Sequence, residues 1–358
     1  MSLLPDPAAF RRLVDGSARG IGPLAARAGL AVLAAPYAAA VTVRNAAYDT
    51  GILPAHRAAV PVISIGNITL GGTGKTPLVA WAARRLVAAG RRPTIVSRGY
   101  GAVAGAVSDE AAELALVVPG VPHVADRDRI AGARAAAAAG ADCVVLDDGF
   151  QHRRLARDLD VVAVDATDPL GCGRMFPRGL LREPPTGLRR AGAIVLTRAD
   201  AVDATRRRDI RARLAAGRRS GPPAVWAEAE HRPVALRGWG DASLPLDAVR
   251  GRRIAAFAAI GNPAAFRTTL ESLGADVVWF RALADHHAYG AGDFTALAAG
   301  AVAARADLVV TTLKDLVKVR NRDVGGVPLV ALEIALVVRE GEEDLTAAVL
   351  RAAGVPAG

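Results

Sequence analysis

Cysteine is almost missing from this chain of 358 residues: Cys143 and Cys172 are the only two, too few for a disulfide framework, and nothing points to an oxidising compartment. Aromatic residues make up only 4%, so the core must be built from alanine, valine and leucine. The same scarcity leaves few stacking platforms for single-stranded nucleic acid. Lysine is rarer still, with Lys75, Lys314 and Lys318 the only three among 45 basic residues, and Gln151 is the only glutamine. That skew reads as a genome-level composition bias, so the formal charge of +10 is weak evidence for nucleic acid, although it suits a polyanionic or phosphorylated partner. It also makes each lysine informative, because arginine stands almost wherever it can serve and cannot supply a compact ammonium head. No clean signal peptide opens the chain, since acidic residues fall among the first sixteen without a charged-then-apolar order.

What is present is a chain able to pack. Hydrophobic residues reach 52% against 22% charged, which excludes global disorder, and the length predicts two domains or three. Residues 24–43 are rich in alanine, with 16 uncharged residues between Arg27 and Arg44 and Pro36 among them. That run is short of the roughly 20 residues that span a bilayer. Two readings stay open for it: a buried alanine-rich helix, or a helix in the membrane interface flanked by Arg19, Arg27 and Arg44 and carrying Tyr37. A transmembrane span fits least.

From Ala59 the texture is α/β. Short apolar runs at 60–65, 93–97, 142–146, 160–164 and 193–197 predict strands, alternating with alanine- and arginine-rich helical segments such as 78–89. Residues 221–240 read as extended linker strands. A second unit follows, with strands at 253–260, 275–280, 308–312 and 327–332 and helices at 263–273, 293–306 and 343–353. The expected fold is a P-loop NTPase-like, mostly parallel sheet domain plus a smaller α/β domain, behind an N-terminal apolar helix. The expected boundaries are 1–55 for the helical segment, 56–220 for the P-loop kinase domain, 221–250 for the linker and 251–358 for the C-terminal domain.

Gly71-Gly72-Thr73-Gly74-Lys75-Thr76 lies directly after a predicted strand and before a predicted helix, the setting a Walker A loop needs. Glycines let backbone N–H groups turn inward around phosphate, and the helix N-terminus adds partial positive charge. Lys75 is expected to reach the β- and γ-phosphates and Thr76 to ligate Mg²⁺. The strict pattern asks for glycine where this chain has Thr69. Downstream, an apolar run ending in Asp147-Asp148 is a Walker B candidate that would place carboxylates at the sheet edge, beside the metal on a nucleotide. These residues indicate ATP or GTP with magnesium and leave the acceptor unnamed.

The wording around the motifs is narrower than a generic P-loop. Gly66-Asn67-Ile68-Thr69-Leu70, Ser97-Arg98-Gly99-Tyr100-Gly101, Asp128-Arg129 and Leu146-Asp147-Asp148-Gly149-Phe150-Gln151-His152-Arg153 follow in order. Pro177-Arg178-Gly179-Leu180-Leu181-Arg182-Glu183-Pro184, Asp285-His286-His287 and Thr311-Thr312-Leu313-Lys314-Asp315 complete the set. Together these resemble the tetraacyldisaccharide 4'-kinase family of lipid A biosynthesis, whose own phosphate loop is similar in lacking the first glycine.

The resemblance implies ATP-dependent phosphorylation, with Mg²⁺, of the 4'-hydroxyl of an acylated glucosamine disaccharide 1-phosphate. It implies a peripheral or monotopic enzyme at the cytoplasmic face of the bacterial inner membrane, with the membrane surface and the lipid as partners, no nucleic acid and no obligate protein partner. It makes Asp109 the catalytic base, within Ser108-Asp109-Glu110-Ala111 where the family has Gly-Asp-Glu-Pro, with Asp126 or Asp128 as the fallback. His286, from the second domain, is implied as its partner on domain closure. Gly71, Gly72, Thr73, Gly74, Lys75 and Thr76 are implied in nucleotide binding, and Thr76, Asp147, Asp148 and Glu183 around the metal. Arg98, Tyr100, Arg129, Gln151, His152 and Arg182 are implied on the phosphorylated sugar. The residues alone leave two other readings open, a soluble P-loop NTPase with a regulatory or nucleic-acid-linked role and a nucleotide-binding membrane adaptor. They also leave Asp285-His286-His287 open as a metal site or a helix cap, and Arg182-Glu183 as a surface ion pair.

Overall fold

The structure is a computed structural model that describes residues 7–99, 109–216, 223–239, 242–284, 287–319 and 321–356. Tyr100 and His286, singled out above, lie outside the described residues. In chain order, α1 (Pro7–Asp15) and α2 (Ile21–Asp49) precede β1 (Val62–Gly66), α3 (Lys75–Ala88), β2 (Pro93–Ser97), α4 (Asp109–Val117), β3 (His123–Ala125) and α5 (Arg129–Ala138). Then come β4 (Cys143–Asp147), β5 (Leu159–Asp165), β6 (Ala193–Thr197), α6 (Ala204–Ala216), β7 (Val225–Gly238), β8 (Ser243–Leu244), β9 (Arg253–Ala258) and α7 (Pro263–Ser272). The chain ends through β10 (Asp276–Ala282), α8 (Ala291–Ala303), β11 (Leu308–Thr312), α9 (Leu313–Val319), β12 (Asp323–Val324), β13 (Val327–Glu340) and α10 (Glu342–Ala352).

Two compact units emerge. The first holds Met1–Arg98, Val121–Glu230 and Leu336–Gly358; the second holds Gly99–Gly120 and His231–Ala335. In the first, the strands run in the order β7-β6-β5-β1-β4-β2-β3, every neighbour parallel. Helices cover a parallel sheet on both faces, which is why β1, β2, β4 and β6 are buried along their whole length and read as mostly apolar runs. Ile68, Phe150, Val162, Leu188 and Leu196 form one core cluster, and Val96, Ala133, Val144 and Leu155 another. β1 sits between β4 and β5, so the segments following β1 and β4 leave the sheet side by side, with Ile65 opposite Asp147.

The second unit has the order β10-β9-β11-β13, again parallel, with β12 antiparallel on β13. Leu236, Ile254, Phe266, Leu270, Val310 and Leu332 build its core, and Arg237 pairs with the buried Glu333 at 2.6 Å.

The units divide the chain differently from the contiguous segments expected. The expected linker holds the 14-residue strand β7, and β13 runs for 14 residues where six were expected. Each of these long strands carries the chain from one unit into the other. α10 therefore belongs to the first unit, where its Glu342 pairs with Arg85 of α3. α4, expected in the P-loop domain, packs on α9 in the second.

α2 runs for 29 residues, through Arg27, Pro36 and Arg44. It is not the buried helix that composition allowed, because Ile21, Val32 and Val43 are 86%, 73% and 68% exposed. It is long and apolar enough to cross a membrane by length and composition, and its exposed apolar surface is consistent with membrane association.

Candidate active site

The phosphate loop begins where β1 runs out of room. A Cβ on Gly66 would sit 2.6 Å from Phe150 Cβ, so the strand can pass Phe150 only as glycine. Asn67 then staples the loop from inside: fully buried, it donates from Nδ2 to Thr69 O at 2.7 Å and to Thr73 Oγ1 at 2.9 Å. Thr197 Oγ1 donates to Thr73 O, and Arg198 Nη2 to Gly72 O, each at 2.9 Å. Gly71 and Gly74 hold φ values of +109° and +79°, a region costly for side chains, and Gly74 caps the start of α3. Lys75 and Thr76 are the first two residues of that helix.

The departure at Thr69 has a local cause. Thr69 bridges antiparallel to Leu181, while Leu70 N donates to Leu180 O (2.7 Å) and Arg182 N to Ile68 O (2.8 Å). The backbone is extended there, where a threonine is as comfortable as a glycine. The zipper also brings Arg182 and Glu183 alongside the loop.

Beside it lies the acidic pair. Asp147 ends β4 and is buried, and Asp148 takes a left-handed φ of +54°. Asp148 Oδ1 lies 3.6 Å from Lys75 Nζ and 2.6 Å from Arg182 Nη1. Burial works to raise its carboxyl pKa, but Lys75 and Arg182 outweigh burial and hold it below the ordinary range, so it is ionised. Arg182 Nη1 also donates to Asn67 Oδ1 at 3.1 Å, tying the acidic corner to the loop. Arg182-Glu183 is therefore not an ion pair with itself.

Glu183, expected near the metal, is 1% exposed at its side chain and already surrounded by donors. Asn45 Nδ2 (3.1 Å) and Arg190 Nη2 (2.8 Å) reach Oε2, and Gln151 Nε2 (2.8 Å) reaches Oε1. Held this way it braces the site and is not open to an ion. Gln151, expected on the sugar, turns inward too, and the same Nε2 donates to Asn67 O at 2.8 Å. His152 and Arg129 are half-buried and buried, and burial with the neighbouring Arg129 and Arg154 pushes the His152 imidazole down to about 4. His152 Nε2 has no partner among the described residues. Arg98 follows β2, close enough for its charge to oppose that of Arg129. Asp128 caps α5 by accepting from Ile130 N at 3.0 Å, and Asp126 accepts from Asp128 N at 2.8 Å. Both fallback carboxylates thus have local structural work.

In the second unit, Asp109 opens α4 with Oδ2 3.3 Å from Lys318 Nζ of α9. The same ammonium, 10% exposed, donates to His287 O at 3.3 Å. His287 Nε2 lies 2.9 Å from Asp293 Oδ2. Asp109 and Lys318 share one unit, and His286, the expected partner of Asp109, lies outside the described residues. Sequence reasoning did not single out Lys318 for the site, although the scarcity of lysine was a signal. Asn45, Asn67 and Arg190 were also missed, having no local motif. Asp315 anchors the start of α9 from within, its Oδ2 accepting from Thr312 Oγ1 (2.7 Å) and Ala259 N (3.0 Å). Among the described residues, no group of three or more His, Cys, Asp or Glu side chains gathers as a metal cage.

Comparison with known proteins agrees with this geometry. The family pattern of tetraacyldisaccharide-1-P 4'-kinases matches residues 26–353. A tetraacyldisaccharide 4'-kinase of Anaeromyxobacter sp. (strain K) is 45% identical over 322 residues, 83% of each chain. One from Geobacter metallireducens is 41% identical over 307 residues, 81% of this chain and 87% of the relative. The crystal structure of "apo" form LpxK from Aquifex aeolicus in complex with ATP matches with a TM-score of 0.73 at 29% identity, covering 91% of this chain and 99% of that one. A glycine-capped phosphate loop, a paired acidic corner and these matches lead to one conclusion: the chain belongs to the tetraacyldisaccharide-1-P 4'-kinase family.

Proposed function

We propose that this protein transfers the γ-phosphoryl group of ATP to the 4'-hydroxyl of a tetraacyl glucosamine disaccharide 1-phosphate, at the cytoplasmic face of the bacterial inner membrane. The observation that carries the reading is the convergence of Lys75 and Arg182 on Asp148 beside the glycine-capped start of α3. Phosphoryl transfer asks a protein mainly for positioning and charge stabilisation. The loop amides and the N-terminus of α3 face the β- and γ-phosphates in this reading, and Lys75 reaches from Asp148 to the phosphate oxygens. Thr76, Asp147 and Asp148 are the donors that fit Mg²⁺, a hard cation satisfied by one or two carboxylates plus substrate phosphates. When bound, Mg²⁺ neutralises charge on the phosphate oxygens. Asp109 takes the proton of the attacking hydroxyl, Lys318 keeps that carboxylate in place, and His286 orients it. Arg98, Arg129 and His152, with Tyr100, grip the phosphorylated sugar, His152 as a neutral imidazole.

The exposed apolar residues of α2 favour a membrane-borne substrate over a soluble regulatory NTPase. The test is transfer of label from [γ-³²P]ATP to detergent-dispersed disaccharide 1-phosphate. Labelled 4'-phosphate product that requires Mg²⁺ is the expected result. ATP hydrolysis without transfer to the lipid would sink the reading.

A further inference from the structure

α2 meets the catalytic apparatus as well as solvent. Tyr37 OH donates to Arg182 O at 2.9 Å, Arg44 Nη2 to Gln151 O at 2.9 Å, and Asn45 Nδ2 to Glu183 Oε2 at 3.1 Å. We propose that Asn45 and Tyr37 are positioning residues for the phosphate loop, so that the helix whose other face meets the lipid surface also sets the geometry of the site. The proposal rests on the kinase reading above and extends it to residues of α2.

The argument runs along hydrogen bonds. Glu183 has one oxygen shared by Asn45 and Arg190 and the other taken by Gln151. Gln151 in turn grips Asn67 O, and Asn67 fastens Thr69 and Thr73. Without Asn45, Oε2 answers to Arg190 alone, whose guanidinium is fixed over the Phe150 ring at 4.4 Å. The carboxylate then turns toward Arg190 and slackens its hold on Gln151, and the loop loses its inner brace. Tyr37 acts on the parallel branch, because the Arg182 backbone it holds carries the guanidinium bonded to Asn67 and Asp148. Nothing about an apolar helix asks for an asparagine. Asn45 is buried within it at 8% exposure, and its Oδ1 has no partner among the described residues. A residue that breaks the local rule at a cost is the kind retained for a site. Its amide donor is the one thing alanine or leucine could not supply.

The experiment compares full-length wild type with Asn45→Ala and Tyr37→Phe by three readouts. These are steady-state kinetics on the disaccharide lipid, binding of a fluorescent ATP analogue without acceptor, and flotation with phosphatidylethanolamine–phosphatidylglycerol vesicles. Asn45→Ala should lower kcat and weaken analogue binding by about tenfold or more, the scale of losing an outer-shell partner. KM for the lipid should stay within about twofold and flotation should be unchanged. Tyr37→Phe, which removes one hydroxyl and leaves the ring on Phe176, should show the same pattern about threefold in size, and it decides the matter if Asn45→Ala does not fold. Wild-type kcat and analogue affinity in both variants would overturn the proposal. So would a loss that disappears when the vesicle concentration is raised, since that marks a docking role alone. Wild-type protein that binds the analogue but phosphorylates no lipid would refute the kinase reading, and the binding arm would still decide this one.

Discussion

Lys75 carries the heaviest demand of any single residue. Lys75→Ala removes the ammonium that meets Asp148 at 3.6 Å, and turnover should fall by roughly 10²–10³-fold with the thermal midpoint little changed. Lys75→Arg should also be damaging, because a planar fork does not replace a compact charge in this loop. Near-wild-type transfer by Lys75→Ala would remove the basis of the phosphate-loop assignment. His152 offers a pH signature. Its folded pKa of about 4 lies below the ordinary 6.5, so below pH 6.5 the unfolded chain takes up a proton that the folded one refuses. Its contribution to stability is therefore complete above pH 6.5 and is lost as the pH falls toward 4. His152→Gln should flatten that part of a plot of melting temperature against pH; an unchanged acid limb would place the sensitivity elsewhere. At this scale, the sequence makes the glycines, Lys75, Thr76 and the aspartate pair legible because their spacing is local. Asn45 could not be read the same way, since its bond to Glu183 joins positions 138 residues apart.

Elements were legible where burial is uniform. β2, β6 and β11 lie at the residues their apolar runs mark, because both faces of each are covered. β7 is legible only as extended linker strand and β13 only over its first six residues, since their burial turns patchy along the 14 residues and Pro233 interrupts the signal in β7. The close pass of β1 over the segment after β4 gives a prediction at this scale. Gly66→Ala puts a methyl 2.6 Å from Phe150 Cβ and 2.8 Å from Phe150 N, backbone that cannot swing away. The variant should lose about 1–3 kcal/mol, the usual cost of forcing one methyl into a packed core, read as a lower urea midpoint with unchanged m-value. Gly72→Ala, where a Cβ would meet nothing within 4 Å, is the control and should keep wild-type stability. Equal stability of the two variants would mean that β1 and the acidic segment do not pack this closely.

For the whole molecule, the α/β class and a pair of units were legible, but their membership was not. Reading in chain order treats a domain as one stretch, whereas the second unit is assembled from Gly99–Gly120 and His231–Ala335. That assembly changes the expectation for the base. Asp109 is tied to Lys318, and Lys318 to His287 O, within one unit, so the proposed base is held by a lysine of α9. Residues that act as one unit are non-additive when removed. Asp109→Asn and His286→Ala should each lower kcat strongly, on the order of 10²-fold or more, with little change in KM for ATP. The double variant should lose much less than the product of the two. Lys318→Met should fall on the same branch, with a smaller loss that Lys318→Arg restores in part. If the effects of Asp109→Asn and His286→Ala simply multiply, the two act independently and the pair is wrong. If Asp109→Asn is nearly silent while Asp128→Asn is dead and stays folded, a residue that caps α5 is the base instead.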